Sequence, residues 1–399
     1  MIAGAALVAL LITQASSSDD DSIACRAAPP DDSSEFVYGL RAGSEPVTAE
    51  TRDETIELVC RRLRKVGIAS AQVGALAGDR IRLALSDDSE VQRASEQVAS
   101  MARLYFYDWE PNLIGRERAI AGLPGQAPPL AALDDANEEW ETAGRSASKQ
   151  ENQRLIAAGA LPTAYDAVQL AKRQAPVPDC VECSIYKPRY YLFSGDEEHR
   201  LIAGPAFARE DLFAAATGSE GVDRGVVEMV PPGTIVVSEQ PVDSLGRIVE
   251  GIENAGWYVL RDRPALGDDD IAKPKQETDE FGQPNVTFEF TDDGRDAFQR
   301  LTRAIAQRGQ ASAIGVVDEQ VAEQSSGHLV VVLDDEVKVK PIINFAQSPD
   351  GIDGRTGAQI SGGFSSLQEA GDLAAMLRFG PLPLQPVPIG LGSGVMVGE

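Results

Sequence analysis

The pattern of apolar and polar positions is clearest in the last third of the chain. In the segment VTFEF, Val286, Phe288 and Phe290 alternate with polar residues, which predicts a half-buried strand. Thr291 can cap the next stretch, where apolar residues recur at helical spacing until Gly309, so we expect a helix there. The segment HLVVVLDDEVKVKPIINF then predicts a buried strand, a tight acidic turn and a second strand whose lysines point outward.

A strand, a glycine turn and a helix follow in GAQISGGFSSLQEAGDLAAMLRFGPLP. Gly362 and Gly363 allow the backbone to reverse between the strand and the helix. Ser366 and Glu369 predict a capping box at the start of the helix, and Gly380 predicts its end. We expect a structural role for eight residues of this unit: Gly357, Gln359, Ser361, Gly362, Gly363, Glu369, Gly380 and Pro383.

Residues 35–110 predict a ferredoxin-like α+β base. A capping box at Thr51 and Glu54 opens a predicted helix over about 52–66. The strand DRIRLAL, an amphipathic stretch over 88–101 and the aromatic strand RLYFYDW come next. The order strand, helix, strand, helix, strand is typical of that fold, and RLYFYDW is the predicted last strand.

After the base the chain becomes rich in Ala, Gly, Pro and Gln, and its periodic patterns are interrupted. RYYLFSGDEEHRLIAGP predicts a hairpin and GTIVVSEQ predicts a further strand. We therefore expect residues 111–270 to form an insertion that elaborates the fold. Residues 384–399 are expected to be a tail.

The chain begins with an apolar run, Ile2 to Ile12, followed by a polar and acidic stretch. A bilayer takes about 20 residues to span, so this run is too short on its own. It is interpreted as a poor signal peptide, as the last half of an anchor helix, or as a buried helix. We expect residues 1–13 to be a partial membrane anchor or signal segment, and residues 14–34 to be a flexible tether.

The composition narrows the range of partners and chemistry. A formal net charge of −26 disfavours nucleic acid and anionic lipid heads as partners. The chain has only two histidines, which leaves little material for histidine-based catalysis or a metal site. We expect no catalytic residue, no metal and no cofactor.

Cys180 and Cys183 have the spacing of redox sites. A redox pair uses a helix N-terminus to lower the thiol pKa, and a strand-like segment follows Cys183 instead. A zinc site would need two more ligands. A local disulfide, or two surface thiols, is the favoured interpretation.

Three segments of the chain together resemble one family. GAQISGGFSSLQEAGDLAAMLRFGPLP resembles the unit that closes the large extracytoplasmic domain of the SecD family of preprotein translocase subunits. GQPNVTFEFTDDGRDAFQRLTRAIAQRG and HLVVVLDDEVKVKPIIN are similar to two preceding motifs of that family, in the same order. The resemblance covers most of residues 35–110 and 275–383, and it identifies 275–383 as a SecD-type head subdomain.

The resemblance implies a ferredoxin-like base with an inserted α+β head on the outer face of the cytoplasmic membrane. It also implies three partners: the SecYEG translocon, SecF and unfolded secretory preprotein. In the family, five membrane helices follow this region and carry the acid that relays protons, and no such helices occur before Glu399. We therefore expect a non-enzymatic accessory component of protein export, without a proton path of its own.

Two alternatives to that function remain open. One is a secreted thiol-disulfide oxidoreductase that uses Cys180 and Cys183, and the other is a degenerate SecD fragment with no active role. The expected location is the extracytoplasmic face of the cell membrane through the N-terminus, or outside the cell if the first segment is cleaved.

Apolar residues of the predicted head strands are candidates for contact with an extended polypeptide, although the same alternation also fits a plain core. These candidates are Phe288, Phe290, Ile342, Ile343 and Phe345.

Overall fold

The described part of the chain forms an α+β structure, so the predicted fold class is confirmed. In this computed structural model the described residues are 25, 33–42, 46–115, 160–185, 187–216, 222–239, 256–313, 322 and 325–389. The predicted anchor or signal segment therefore lies outside the described residues, as does most of the predicted tether. Among the described residues, no helix has the length and apolar character that crossing a membrane requires.

The first subdomain, called the base, is an antiparallel sheet of four strands with two helices packed on one face. Its strand order is β17-β1-β3-β2, and every neighbouring pair is antiparallel, as in a ferredoxin-like fold. The elements are β1 (Ser34–Arg41), α1 (Ala49–Lys65), β2 (Gln72–Leu76), β3 (Arg80–Leu85), α2 (Val91–Ala99) and β17 (Gln385–Pro388).

The last strand of the base differs from the prediction. The segment RLYFYDW supplies β4 (Leu104–Asp108), which pairs with β13 (Gly327–Leu333) in the second subdomain, called the head. The base instead closes with β17, which lies in the predicted tail. The reason is packing: Leu104 and Phe106 are buried in the apolar core of the head. An alternating pattern predicts a strand, but it does not identify the partner strand.

The first helix also begins earlier than predicted. Thr48 is the N-cap of α1, and its Oγ1 accepts a hydrogen bond from the backbone N–H of Thr51 at 3.1 Å. Thr51 in turn accepts from the backbone N–H of Thr48 at 3.2 Å, so the capping box uses two threonines. A disulfide joins Cys25 to Cys60 on the same helix.

The larger sheet of the head brings together strands from distant parts of the chain. Its order is β15-β13-β14-β9-β10-β5, with β4 also paired to β13. The predicted insertion thus supplies two inner strands of this sheet, β9 and β10. The further elements here are α3 (Trp109–Asn112), β5 (Leu113–Ile114), β9 (Thr234–Glu239), β10 (Gly256–Arg261), β14 (Glu336–Val339) and β15 (Ile342–Ile343).

A three-stranded sheet with two long helices forms the other half of the head. Thr291 caps the first of these helices as predicted, accepting a hydrogen bond from the N–H of Gly294 at 3.1 Å. This helix passes through Gly309, where a Cβ would lie 3.0 Å from the carbonyl oxygen of Ser325, so close packing rather than a helix end explains that glycine. The elements are β11 (Ile271–Thr278), β12 (Pro284–Phe290), α6 (Asp292–Ser312), β16 (Ala358–Ser361) and α7 (Leu367–Phe379).

A third small sheet lies in the insertion. Its order is β7-β6-β8, and the predicted hairpin is its first two strands. One face packs against α4 and β10, and the other packs against α5. The elements are α4 (Ala164–Lys172), β6 (Arg189–Phe193), β7 (Leu201–Ala206), α5 (Arg209–Ala215) and β8 (Val226–Val230).

Candidate functional site

A cleft of about 1110 Å³ lies where the base and the head meet. Small-molecule sites occupy about 300–1,000 Å³, so the volume of the cleft lies at the upper end of that range. Five parts of the chain line it: the end of α2 with the linker to β4, the β13–β14 hairpin, the segment from β16 to α7, residues of the insertion, and Gln385 of β17. We call this space the cleft and take it as the candidate site.

One wall of the cleft is an edge strand. β16 pairs with β12 on one side, with Ala358 opposite Phe288 and Ser361 opposite Asn285. On its other side β16 has no strand neighbour in the described part of the chain. Gln359 and Ser361 line the cleft, and the Ser361 Oγ has no hydrogen-bond partner among the described residues.

Glycines place β16 and α7 against this wall. Gly357 has a φ of 76°, and a Cβ there would lie 2.2 Å from the carbonyl oxygen of Phe288. Gly362 and Gly363 also have positive φ, and both line the cleft. Glycine adopts such backbone angles more readily than any other residue, so this sequence can bring β16 against β12 and then turn away at once.

The N-cap and the end of α7 follow the sequence prediction, but the predicted capping box is only half formed because Glu369 does not bond the backbone N–H of Ser366. The Ser366 Oγ accepts a hydrogen bond from the N–H of Glu369 at 3.2 Å. The Glu369 carboxylate accepts from the N–H of Ser365 at 2.8 Å, and Gly380 ends the helix with a φ of 75°. Of the eight residues predicted as structural, Gln359, Ser361, Gly362, Gly363 and Glu369 line the cleft.

Two aspartates at the tip of the β13–β14 hairpin join the head to the base. Asp334 and Asp335 both have positive φ, 48° and 70°. The Asp334 carboxylate accepts hydrogen bonds from the Ser100 hydroxyl at 2.6 Å and from the Arg103 N–H at 3.0 Å. The sequence predicted a tight acidic turn, but its contact with the linker between base and head depends on the tertiary fold.

Asp335 forms an ion pair with Arg189 of the insertion. Burial raises the pKa of Asp335, and Arg189 opposes that shift only in part. Burial alone would lower the pKa of Arg189, but Asp335 and Asp262 outweigh it, so the pKa of Arg189 is raised. The pair therefore fixes the insertion against the hairpin while it keeps the guanidinium charged.

Lys340 does not point outward as predicted. Its Nζ lies 2.9 Å from a carboxylate oxygen of Glu239, 4.9 Å from the ring centre of Trp109 and 5.0 Å from that of Tyr258. The Tyr258 hydroxyl donates to the same Glu239 carboxylate at 2.8 Å. A lysine between two aromatic rings and a carboxylate is held by cation–π and ionic contacts, which one strand's alternation does not reveal.

Two arginines fix the base against the head, and both were missed in the sequence. Arg93 of α2 donates two hydrogen bonds to the Asp372 carboxylate of α7, each at 2.6 Å. Arg62 of α1 is fully buried and donates to the carbonyl oxygens of Ser100 at 2.7 Å and Gly380 at 2.6 Å. Burial lowers the pKa of Arg62 to about 10. Their partners are far away in sequence, so no local pattern identified them.

The predicted polypeptide-contact residues do not form an accessible surface. Phe288, Phe290, Ile343 and Phe345 are all buried in the core of the head, and only Ile342 is exposed, at 44%. The alternation on β12 arises because one strand face packs against the core. This prediction was wrong for the four buried residues, and the accessible feature is the edge of β16 instead.

Cys180 and Cys183 form a disulfide, and both side chains are buried. The next described element after Cys183 is the strand β6, so no helix N-terminus follows the pair among the described residues. Asp262 fixes the segment that follows, accepting from the Ser184 hydroxyl at 2.6 Å and from the Tyr107 hydroxyl at 3.0 Å. This arrangement does not favour the oxidoreductase alternative.

The described residues contain no group of three or more His, Cys, Asp or Glu side chains placed to hold a metal ion. Both histidines, His199 and His328, lie away from the lining of the cleft.

Comparisons with known proteins find likenesses to the Sec translocase. The family described as "SecDF, P1 head subdomain" matches residues 246–384. The chain is 32% identical over 156 residues to protein translocase subunit SecD of Calditerrivibrio nitroreducens, covering 39% of this chain and 24% of that protein. It is 31% identical over 122 residues to protein translocase subunit SecDF of Thermus thermophilus, covering 30% of this chain and 13% of that protein.

A solved structure titled "Structure and function of a membrane component SecDF that enhances protein export" aligns with 90% of this chain and 99% of its own, at 18% identity and a TM-score of 0.40. The match to the two curated relatives spans less than a quarter of the length of each. The matched family region begins near β10 and ends before β17, so it contains both strands of the hairpin, β16 and α7. Residues 246–384 of this chain thus match the family described as SecDF P1 head subdomain, and in this region the chain is similar to SecD-type proteins.

Proposed function

We propose that this chain acts in protein export as a SecD-type component, and that its cleft contacts the exported polypeptide on the outer face of the cytoplasmic membrane. The proposed partners are the SecYEG translocon, SecF and unfolded secretory preprotein. Membrane attachment through the N-terminal segment belongs to the same proposal.

One observation carries this proposal. The region that matches the P1 head family supplies most of the cleft: the second strand of the hairpin, the edge strand β16, the glycine turn and the first half of α7. The part of the chain that is most similar to translocase subunits is thus also the part that lines the large cleft.

The side chains that line the cleft support non-covalent contact with a polypeptide rather than catalysis. Its charged groups are mostly engaged, with Asp335 on Arg189, Glu239 on Lys340 and Glu336 on Lys338. No histidine lines the cleft, so its described residues do not offer a nucleophile activated by histidine. We therefore propose a non-enzymatic role.

Site-specific cross-linking tests the proposal. A photoreactive residue is placed at Gln359 in the cleft, or at Lys275 on the far edge of the same sheet as a matched control. Cells then produce a secretory precursor that arrests during export. We expect an adduct with the precursor from position 359 and little from position 275. Absence of adducts with both the precursor and SecY from every cleft position would contradict the proposed function.

A further inference from the structure

We infer that β16 binds a segment of the exported polypeptide as an added antiparallel or parallel strand, through main-chain hydrogen bonds along Ala358–Ser361. The inference rests on the proposed function and names the binding mode and the class of segment. It predicts recognition of extended chain, with little dependence on sequence.

The first observation that supports strand addition is the unpaired edge of β16. A strand leaves half of its N–H and C=O groups directed away from its single neighbour, and these groups bind another strand readily. β16 has β12 on one side, and three of its four residues, Gln359, Ile360 and Ser361, line the cleft. Its sequence, AQIS, contains no charge and no proline that would hinder pairing.

The opposite edge of the same sheet is blocked, which shows that the open edge is not a general feature of this subdomain. β11 carries Lys273, Pro274 and Lys275, and its register with β12 shifts between Ala272 and Lys275. Charge, proline and bulge are the usual devices that prevent strand addition. The chain therefore protects one edge of this sheet and leaves the other edge, within the cleft, unprotected.

The turn that follows β16 is not crowded. A Cβ on Gly363 would meet no heavy atom within 4 Å, so space is open at the turn beside the strand. A segment added here would place alternate side chains beside Ala358 on the core face and beside Gln359 on the outer face.

The charges that line the cleft indicate which polypeptide segments would bind there. The lining contains more carboxylates than cations: Glu96, Glu239, Asp334, Asp335, Glu336, Glu369 and Asp372 against Arg103, Arg189, Lys338 and Lys340. Acidic segments are therefore disfavoured relative to neutral or basic ones, by an interaction that salt screens. The inferred ligand is an extended segment that is neutral or basic.

Backbone-methylated peptides test the inference directly. The probe is a fluorescent octapeptide of alternating valine and threonine, measured by anisotropy with the full chain. One variant carries N-methyl groups on alternate residues and keeps one strand edge free, and a second carries them on consecutive residues and blocks both edges. Because an added strand donates from one edge only, we expect the second variant to lose about tenfold or more in affinity, equivalent to about 1.4 kcal/mol, and the first to lose much less.

The outcomes separate this inference from the proposed function. If both methylated peptides bind as tightly as the parent, strand addition is wrong, while polypeptide contact in the cleft stands. If no peptide binds, both the inference and the proposed contact with polypeptide are contradicted. Replacing two threonines by glutamate is expected to weaken binding severalfold at low salt, and replacing them by lysine is not.

Two neighbouring proline variants test the same inference on the protein side. Adjacent residues of a strand direct their N–H groups to opposite sides, so Ala358→Pro and Gln359→Pro remove donors on different sides of β16. We expect one variant to lower the melting temperature because a bond to β12 is lost. The other is expected to keep its melting temperature and to lose peptide affinity. Folded variants at both positions with unchanged affinity would overturn the inference.

Discussion

The two outer strands of the three-stranded head sheet differ in a way that bears on function. β11 and β16 both pair with β12 and both contribute to the same core. β11 interrupts its own edge with a proline, two lysines and a change of register, whereas β16 has none of these. We infer that β11 prevents the addition of another strand and that β16 permits it, with access limited by the cleft.

The largest expected effect on stability comes from substituting Gly357, which precedes β16 and packs against β12. Gly357→Ala should destabilise the fold by about 3 kcal/mol or more, because the residue has a positive φ and a Cβ would contact the Phe288 carbonyl oxygen at 2.2 Å. Gly363→Ala is the matched control, since it also has a positive φ but its Cβ would meet nothing within 4 Å. Its expected cost is about 1 kcal/mol.

Urea unfolding followed by circular dichroism measures both variants. Equal losses for the two substitutions would show that close packing of β16 on β12 does not depend on the missing Cβ of Gly357.

The ion pair that holds α7 against the base gives the next largest effect. Asp372→Asn should cost about 2 kcal/mol, because the substitution replaces two charge-assisted hydrogen bonds from Arg93 in a mostly buried setting. Glu57→Gln, in the exposed pair with Arg61, should cost about 0.5 kcal/mol or less. Thermal unfolding of both variants checks this, and equal shifts would contradict a special role for the contact between base and head.

Removing the protection of β11 should have a smaller effect on stability and a visible effect on association. In the double variant Pro274→Thr, Lys275→Thr, the edge gains a donor and loses a charge, so we expect concentration-dependent self-association. The expected change in unfolding free energy is within about 0.5 kcal/mol. Sedimentation velocity measures the association. A variant that stays monomeric at high concentration would show that these residues do not protect the edge.

The smallest expected effect concerns Glu110, which lies on α3 and bonds to β13, outside the three-stranded sheet. Burial alone would raise the pKa of Glu110, but hydrogen bonds from the His328 ring and backbone N–H outweigh it, so the pKa is lowered. A lowered folded-state pKa contributes stability above the unfolded-state pKa, about 4.3 for glutamate, and that stability is lost as the pH falls through the folded value. Glu110→Gln should therefore weaken the loss of stability that occurs as the pH falls below about 4.3.

Unfolding curves across that pH range check the effect of Glu110. Equal slopes of stability against pH in the variant and the parent would contradict it.

Local features of the fold were predictable from the sequence. The caps at Thr291 and Ser366 and the end of α7 at Gly380 depend on residues within one turn, and the structure has them where the sequence placed them. The ferredoxin-like pattern of the base was also recognisable. Its last strand was not, because β17 is separated from α2 by the whole head, and pairing over that distance leaves no local pattern.

The candidate site was predictable only in part. The motif around Gly362 was recognised, but its position on a cleft depends on Arg93, Arg62 and the Asp334 turn, whose partners are remote in sequence. Phe288 and Phe290 show why alternation alone misled: a core face and a binding groove have the same period, and burial depends on what packs against the strand.

Amide hydrogen exchange tests strand addition at β16 most directly. The full chain is exchanged with and without the valine-threonine octapeptide, and protection is compared for Ala358–Ser361 and for Ile271–Thr278. The account predicts that outward-directed amides of β16 exchange freely without peptide and become protected with it, while β11 stays unchanged. Bound peptide with unchanged exchange in β16, or with new protection along β11, would contradict it.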